Sequence, residues 1–388
     1  MNTVLTSSTV TSGGTGFAAA AAKRRLSGSA ATNQVAMTVR ARLLLPLFFV
    51  VLSPLVGSAA KPAKADHSQI EQNTRLQIFL DNANFGPGKI DGRQGEFTRK
   101  AVALYKLSEG QANGTPPNPN ALIDTTGLEL SGVVPVFTTY TVSTDDGANV
   151  GELPTGPVAQ AKVKRLPYAT LAEAVAEKFH CDLNFLKELN PKKTDKLKVG
   201  DSLTVPNVKP FEVSAVKGIR SGSQAPALIA NELGEEQAAQ TDSSADKSTA
   251  PNEPGISLHI SVKDEMLEVS ANGKVVASFP VTVGSQQTAS PIGHWKVQAI
   301  AKLPNFRYDP KMLKEGERSS NFHMLPPGPN NPVGVIWIAL NKKGIGIHGT
   351  NDPDSIGRSA SHGCIRLANW DIVKLAEMVK PGVAVTVE

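Results

Sequence analysis

Pattern alone describes a multidomain chain: a mostly-β C-terminal third that suits a sandwich with one helix, preceded by a small α-helical domain and a small α+β module. Three observations carry this expectation. From residue 256 onward apolar and polar residues alternate (Ile256, Leu258, Ile260, Val262, and at the far end Val383, Val385, Val387), the period of a half-buried strand. Asn272-Gly273, between Met266–Val269 and Lys274–Val283, is a strong hairpin signal. A single helical stripe, Ile372, Leu375, Ala376 and Val379, interrupts this third; Asn369 is its expected cap and Pro381-Gly382 its stop.

The elements follow in order. Residues 1–65 read as a leader with a signal peptide. Arg40 and Arg42 precede a 14-residue apolar run, Leu43 to Val56, and small residues follow it. The run is shorter than the roughly 20 residues a membrane span needs, so cleavage is expected, with no stable membrane anchor afterwards. Met37 is an alternative start. The leader also explains the basic balance of the chain. It holds seven Lys or Arg and no acid, leaving 33 basic against 35 acidic residues, a net of −2. That balance argues against nucleic acid as a partner.

Residues 66–112 read as the helical domain, with Leu76, Phe79 and Leu80 on one stripe and Phe97, Ala101, Leu104 and Tyr105 on another, either side of a turn-rich break. Leu76-Gln77, Ile90-Asp91-Gly92 and Thr98-Arg99-Lys100-Ala101-Val102 resemble a peptidoglycan-binding domain. Residues 113–136 read as a linker. In 137–208, Tyr140–Val142 reads as a strand, Leu171–Phe179 and Leu183–Leu189 as helices and Leu197–Pro206 as turn and strand. With Leu189-Asn190-Pro191 and Val199-Gly200-Asp201-Ser202-Leu203-Thr204-Val205-Pro206, this order resembles a LysM glycan-binding module, apart from the long insertion after Val142. Residues 209–255 read as a flexible linker, rich in Ala, Ser, Gln, Glu and Asp from about Val216 to Pro254. Residues 256–388 form the expected catalytic domain. Within it Lys302–Pro332 carries six prolines and no regular period, and is expected to be an irregular flap over a site.

The chemistry concentrates in His348-Gly349-Thr350 and Ser361-His362-Gly363-Cys364-Ile365-Arg366-Leu367, which hold one of two cysteines and two of seven histidines. A thiol becomes a nucleophile when a base takes its proton, and imidazole titrates nearest neutral pH. Glycine beside it allows close approach and backbone N–H groups aimed at an oxyanion. Cys364 is therefore the candidate nucleophile of an acyl-transfer enzyme. His348 and His362 both compete as its base. Gly363 and Gly349 are candidates for oxyanion or substrate contact, and Arg366 for a substrate carboxylate. Cys181 reads as buried packing, and both cysteines as free thiols. No Cys/His cluster has zinc spacing, so neither metal nor cofactor is expected.

These residues, with Ser290-Pro291-Ile292-Gly293 and Asn331-Pro332-Val333-Gly334 upstream, resemble the L,D-transpeptidase family with a YkuD-type catalytic domain. The resemblance implies a β-sandwich, His348 as base oriented by a backbone carbonyl near Gly349, and His362 lining the site. It implies peptidoglycan stem peptides and glycan chains as partners, in the periplasm or cell wall, and a crosslink made through a cysteine thioester in cell wall biogenesis. The alternatives are an L,D-carboxypeptidase passing the same thioester to water, and a non-catalytic peptidoglycan-binding protein.

Overall fold

The structure, a computed structural model, describes residues 67–111, 121–218, 255–284, 290–315, 317–342, 344–358 and 363–388. The chain divides into Met1–Pro62 and Ala63–Glu388. The expected leader, most of the compositional linker and His362 lie outside the described residues.

The helical part comprises α1 (His67–Asn82) and α2 (Glu96–Ser108). Gln77 is buried, and its side chain holds the turn between them. Its Nε2 donates to Asp91 Oδ1 at 2.8 Å, and its Oε1 accepts from Gly92 N at 2.9 Å and Asp91 N at 3.1 Å. Gly92 sits at φ +69°, and a Cβ there would fall 2.9 Å from the Ile70 side chain. The Leu76-Gln77 and Ile90-Asp91-Gly92 residues thus interlock as one structural unit.

Strand β1 (Phe137–Thr141) pairs antiparallel with β2 (Ser202–Pro206). Between them lie α3 (Thr144–Ala148), α4 (Pro157–Gln160), α5 (Leu171–Lys178) and α6 (Leu183–Leu189). Helix α5 starts on a capping box in which Thr170 and Glu173 satisfy each other's backbone N–H groups. Asn190, at the end of α6, pins that helix to β2 by exchanging bonds with the Thr204 backbone, 2.7 Å each way. Two stretches read from composition as linkers are partly packed. Val133 and Val136 join the core of this module, and Phe211 and Val216 join the core of the C-terminal third. In both cases a few well-spaced apolar residues outweigh a polar average.

The C-terminal third is one eight-stranded sheet. Its strands are β3 (Ile256–Ser261), β4 (Met266–Ala271), β5 (Lys274–Pro280), β6 (Gly293–Lys302), β9 (Ile336–Leu340), β10 (Gly346–His348), β11 (Ile365–Arg366) and β12 (Ala384–Val387), in the order β11-β10-β9-β6-β12-β3-β4-β5. A separate ribbon, β7 (Phe306–Tyr308) with β8 (His323–Leu325), stands outside it. Asn272 and Gly273 both take positive φ, +52° and +80°, as a two-residue hairpin turn requires, and Ala271 pairs with Lys274 across it. The expected sandwich is realised as a single sheet that curls until its two edges meet. Thr282, just past β5, exchanges backbone bonds with Arg366 of β11 at 2.9 and 3.0 Å. Residues from both ends of the sheet, such as Leu267, Phe279, Ile347 and Ile365, therefore share one core. This core is covered by α8 (Asn369–Met378), through Ile372, Leu375 and Ala376.

The segment expected to be an irregular flap is folded. Between β7 and β8 lies a short helix, α7 (Pro310–Glu315). Asp309 caps α7, its Oδ1 accepting from Lys311 N and Met312 N at 3.2 Å each, and its two oxygens also accept from Ser319 N (2.7 Å) and Ser319 Oγ (2.8 Å). Arg307 pairs with Asp309 at 3.4 Å and lies over the Phe322 ring at 3.9 Å. Proline density hid an Asp-centred cap.

Candidate active site

The pleat of three adjacent strands builds the site. In β9, Ile336, Ile338 and Leu340 enter the main core, whereas Trp337 and Ala339 point the other way and join Ala299, Ala301 and Val333 in a second cluster. Ile347 of β10 and Ile365 of β11 enter the main core and pair with each other; His348 pairs with Arg366. Side chains alternate along a strand. His348, Cys364 and Arg366 therefore share the face of Trp337, and Cys364 packs on the second cluster. A cavity of about 270 Å³ opens on that face, with His348, Cys364, Arg366 and Trp337 in its lining. The β7–β8 ribbon and α7 supply the opposite wall, through Tyr308, Met312 and their neighbours.

His348 is buried, and its ring stacks on Trp337 at 5.1 Å between centroids and 9° between planes. Its Nδ1 lies 2.6 Å from the Gly349 carbonyl oxygen. A carbonyl only accepts, so Nδ1 carries the proton and Nε2 presents a lone pair. Burial pushes the imidazole down to about 4; the Gly349 carbonyl works against this, and the charge of Arg366 adds to it. At neutral pH the ring is thus uncharged and able to accept a proton.

Cys364 is half-buried, and its thiol donates to the Gly344 carbonyl at 3.6 Å. Gly363 before it sits at φ +103°, a conformation other residues rarely adopt, and aims the chain into β11. Arg366 is partly buried, which lowers its pKa; Asp352 and the Cys364 sulfur oppose that shift. Cys181, the other thiol, is buried in the core of the α+β module, and burial pushes its pKa well up.

Of the residues singled out from sequence, His348, Cys364 and Arg366 line the same cavity, and Gly363 adjoins it. Gly349 sits where the resemblance implies the carbonyl that orients His348, and not as an oxyanion or substrate contact. Its N–H donates to the Ile336 carbonyl at 3.1 Å and its own carbonyl accepts from His348, so it orients the histidine and offers no N–H to a substrate. Trp337, Asn331 and Asn369 were missed. Trp337 lies in a continuous apolar run, Val335–Leu340, in which no alternation marks the face its side chain takes. Asn331, fully buried, donates to the Pro326 carbonyl at 2.9 Å and accepts from Val333 N at 3.0 Å, fixing the base of the ribbon. Asn369 was read as a helix cap, but Ala368 takes that position and the Asn369 amide turns towards Gly349. Among the described residues no group of three or more His, Cys, Asp or Glu could hold a metal ion, and no helix is long and apolar enough to cross a membrane.

Residues 255–387 match the family model described as the L,D-transpeptidase catalytic domain, YkuD. "Putative L,D-transpeptidase YkuD" of Bacillus subtilis is 33% identical over 130 residues, 34% of this chain and 64% of the relative. "Probable L,D-transpeptidase ErfK/SrfK" of Salmonella typhimurium is 44% identical over 123 residues, 30% of this chain and 38% of the relative. "Putative L,D-transpeptidase YqjB" of Bacillus subtilis is 32% identical over 126 residues, 31% of this chain and 64% of the relative. The chain thus covers less than two thirds of these relatives. The matched segment begins at the residue before β3 and ends with β12, so it contains the whole curled sheet, the ribbon and the cavity. Residues 255–387 are an L,D-transpeptidase catalytic domain of the YkuD type.

Proposed function

We propose that the protein is an exported peptidoglycan L,D-transpeptidase that forms crosslinks between stem peptides through a thioester on Cys364. The observation that carries this reading is the shared face of β10 and β11, where a thiol and an imidazole with a fixed tautomer line one cavity. His348 Nε2 takes the Cys364 proton, and the thiolate attacks the carbonyl of the third stem residue. The Gly363 and Cys364 N–H groups receive the oxyanion. The imidazolium returns its proton to the departing amine of the terminal D-alanine as the peptide bond breaks. An amine of a second stem then attacks the thioester, loses its proton to His348 and leaves the sulfur free. The acyl group comes from the bond that is broken, so the scheme balances without ATP. Arg366 holds a substrate carboxylate. The helical domain (66–112) and the LysM-like module (137–208) bind the glycan polymer, raising the local concentration of stems.

Incubation of the mature chain with purified tetrapeptide muropeptides, followed by mass spectrometry, tests the reading. Crosslinked dimers with loss of D-alanine are expected from the wild type and none from C364A. Free tripeptide as the sole product would reassign the enzyme as a carboxypeptidase. Activity retained in C364A would end the thioester scheme.

A further inference from the structure

The catalytic domain does not orient its histidine alone. Asn369, at the first turn of α8, is almost fully buried and sits against two glycines. A Cβ on Gly349 would fall 2.3 Å from Asn369 Oδ1, and one on Gly334 would fall 2.2 Å from that oxygen and 2.6 Å from Gly349 Cα. The amide therefore lies against the peptide whose carbonyl holds His348 Nδ1. Oδ1 accepts from Val335 N at 3.1 Å, which fixes one end of the amide. At the other end, Nδ2 donates to Glu177 Oε1, outside the catalytic domain, at 2.8 Å, and more weakly to the Pro329 carbonyl, within it, at 3.3 Å.

Glu177 belongs to α5, in the α+β module. It is buried, and Oε1 accepts a second bond from Tyr168 Oη at 3.1 Å. The approach around it is close and backbone-mediated. Leu166 N donates to the Pro327 carbonyl at 2.9 Å, and Asn330 N to the Leu166 carbonyl at 3.2 Å. Asn330 Nδ2 reaches the Pro167 carbonyl at 2.8 Å and Glu173 Oε1 at 2.9 Å. A Cβ on Gly328 would lie 2.1 Å from the Leu166 carbonyl oxygen. The module is thus seated on the segment that joins the ribbon to β9, and Glu177 reaches through to Asn369 of α8.

We propose that Glu177 of the α+β module is a positioning residue for His348, acting through Asn369 on the Gly349 peptide. This rests on the reading of His348 as the base for Cys364. It adds a role for the module beyond holding polymer: the module completes the support of the catalytic histidine. A buried amide with one anchor lost has a different preferred orientation, because its N–H donors go to the nearest remaining acceptor. The Gly349 carbonyl and the imidazole then shift with it, and a shift of about 1 Å at a catalytic group costs up to about 100-fold in rate.

The test reads the thiol directly. Cys364 alkylation by iodoacetamide is followed from pH 4 to 9 by peptide mass mapping, with buried Cys181 as internal reference. Wild type and H348A are compared first; identical profiles would refute His348 as the base and leave the Glu177 question to fall with it. Given a His348-dependent rate, E177Q keeps the oxygen acceptor and is expected within about twofold of wild type, whereas E177L and E177M remove it and are expected to react about 10- to 100-fold more slowly near pH 6, approaching the H348A profile. Near-UV circular dichroism reports the fold of each variant. Folded E177L or E177M with the wild-type profile overturns the proposal. Loss of the native signal in both overturns it too, since Glu177 is then structural only.

Discussion

At the scale of single residues, the site depends on where two hydrogens reside. Nδ1–H of His348 is committed to the Gly349 carbonyl, which leaves Nε2 as the one ring position able to take the thiol proton. Burial holds the ring neutral down to about pH 4. The folded value lies below the ordinary 6.5, so the unfolded chain takes up the proton first. The stability contributed by the neutral ring is complete above about 6.5 and declines as pH falls towards 4. The same titration sets the acid limb of reactivity. Cys364 acylation or alkylation by the free enzyme is expected to fall below an inflection near 4, and H348A is expected to abolish that limb and lower the rate by about 10²- to 10⁴-fold. A pH–rate profile on the wild type and H348A checks both statements. The residue scale also shows where sequence reading reached its limit. Cys364 and His348 were legible because their types carry the chemistry. The role of Gly349 came only through the family resemblance, because whether a glycine lends its N–H or its carbonyl depends on the strand it pairs with, here β9.

At the scale of elements, the ribbon and α7 form a wall of the cavity held by one carboxylate. Burial raises the Asp309 pKa, but bonds from Ser319 and Met312 and the charge of Arg307 outweigh it, so the group stays ionised well into the acid range. D309A removes the α7 cap and the anchor of Ser319 together. A lost N-cap alone costs about 1 kcal/mol. Faster amide hydrogen exchange is expected across 310–319, with the β9 and β10 amides unchanged, alongside a lower kcat/KM for tetrapeptide. Unchanged exchange would show that the ribbon is held by other contacts. The strands themselves were readable because alternation and Asn272-Gly273 are local signals. The order of the strands was not. The parallel pair β3–β12 joins segments at opposite ends of this third, and no local pattern encodes such a pairing.

At the scale of the whole molecule, the helical part, the α+β module and the catalytic third meet around α8. Asp81 of α1 bonds to His180, next to α5, and to Lys374 of α8, each at 3.0 Å, and the His180 ring stacks on Trp370 at 5.4 Å. Asn84 and Gly86 exchange backbone bonds with Ser278 at 2.9 and 2.7 Å and so cover part of the outer edge of β5. An uncovered edge strand is a template for pairing with another chain. The isolated segment 255–388 is therefore expected to melt at least about 5 °C below the 67–388 protein and to self-associate, as read by thermal denaturation and size-exclusion chromatography. A monomeric fragment of equal stability would show that the junction adds nothing to the catalytic domain.

The sequence by itself determined the class of the C-terminal third, the hairpin, and a candidate nucleophile with its pair of candidate bases, because period, turn chemistry and reactive side chains are properties of short stretches. Only the tertiary structure decided that the sheet curls until Thr282 meets Arg366, that a proline-rich segment is a capped ribbon, and that Glu177 reaches Asn369 across 192 positions of chain. Those facts arise from which backbone groups find partners once distant segments pack, and a linear pattern holds no record of that choice.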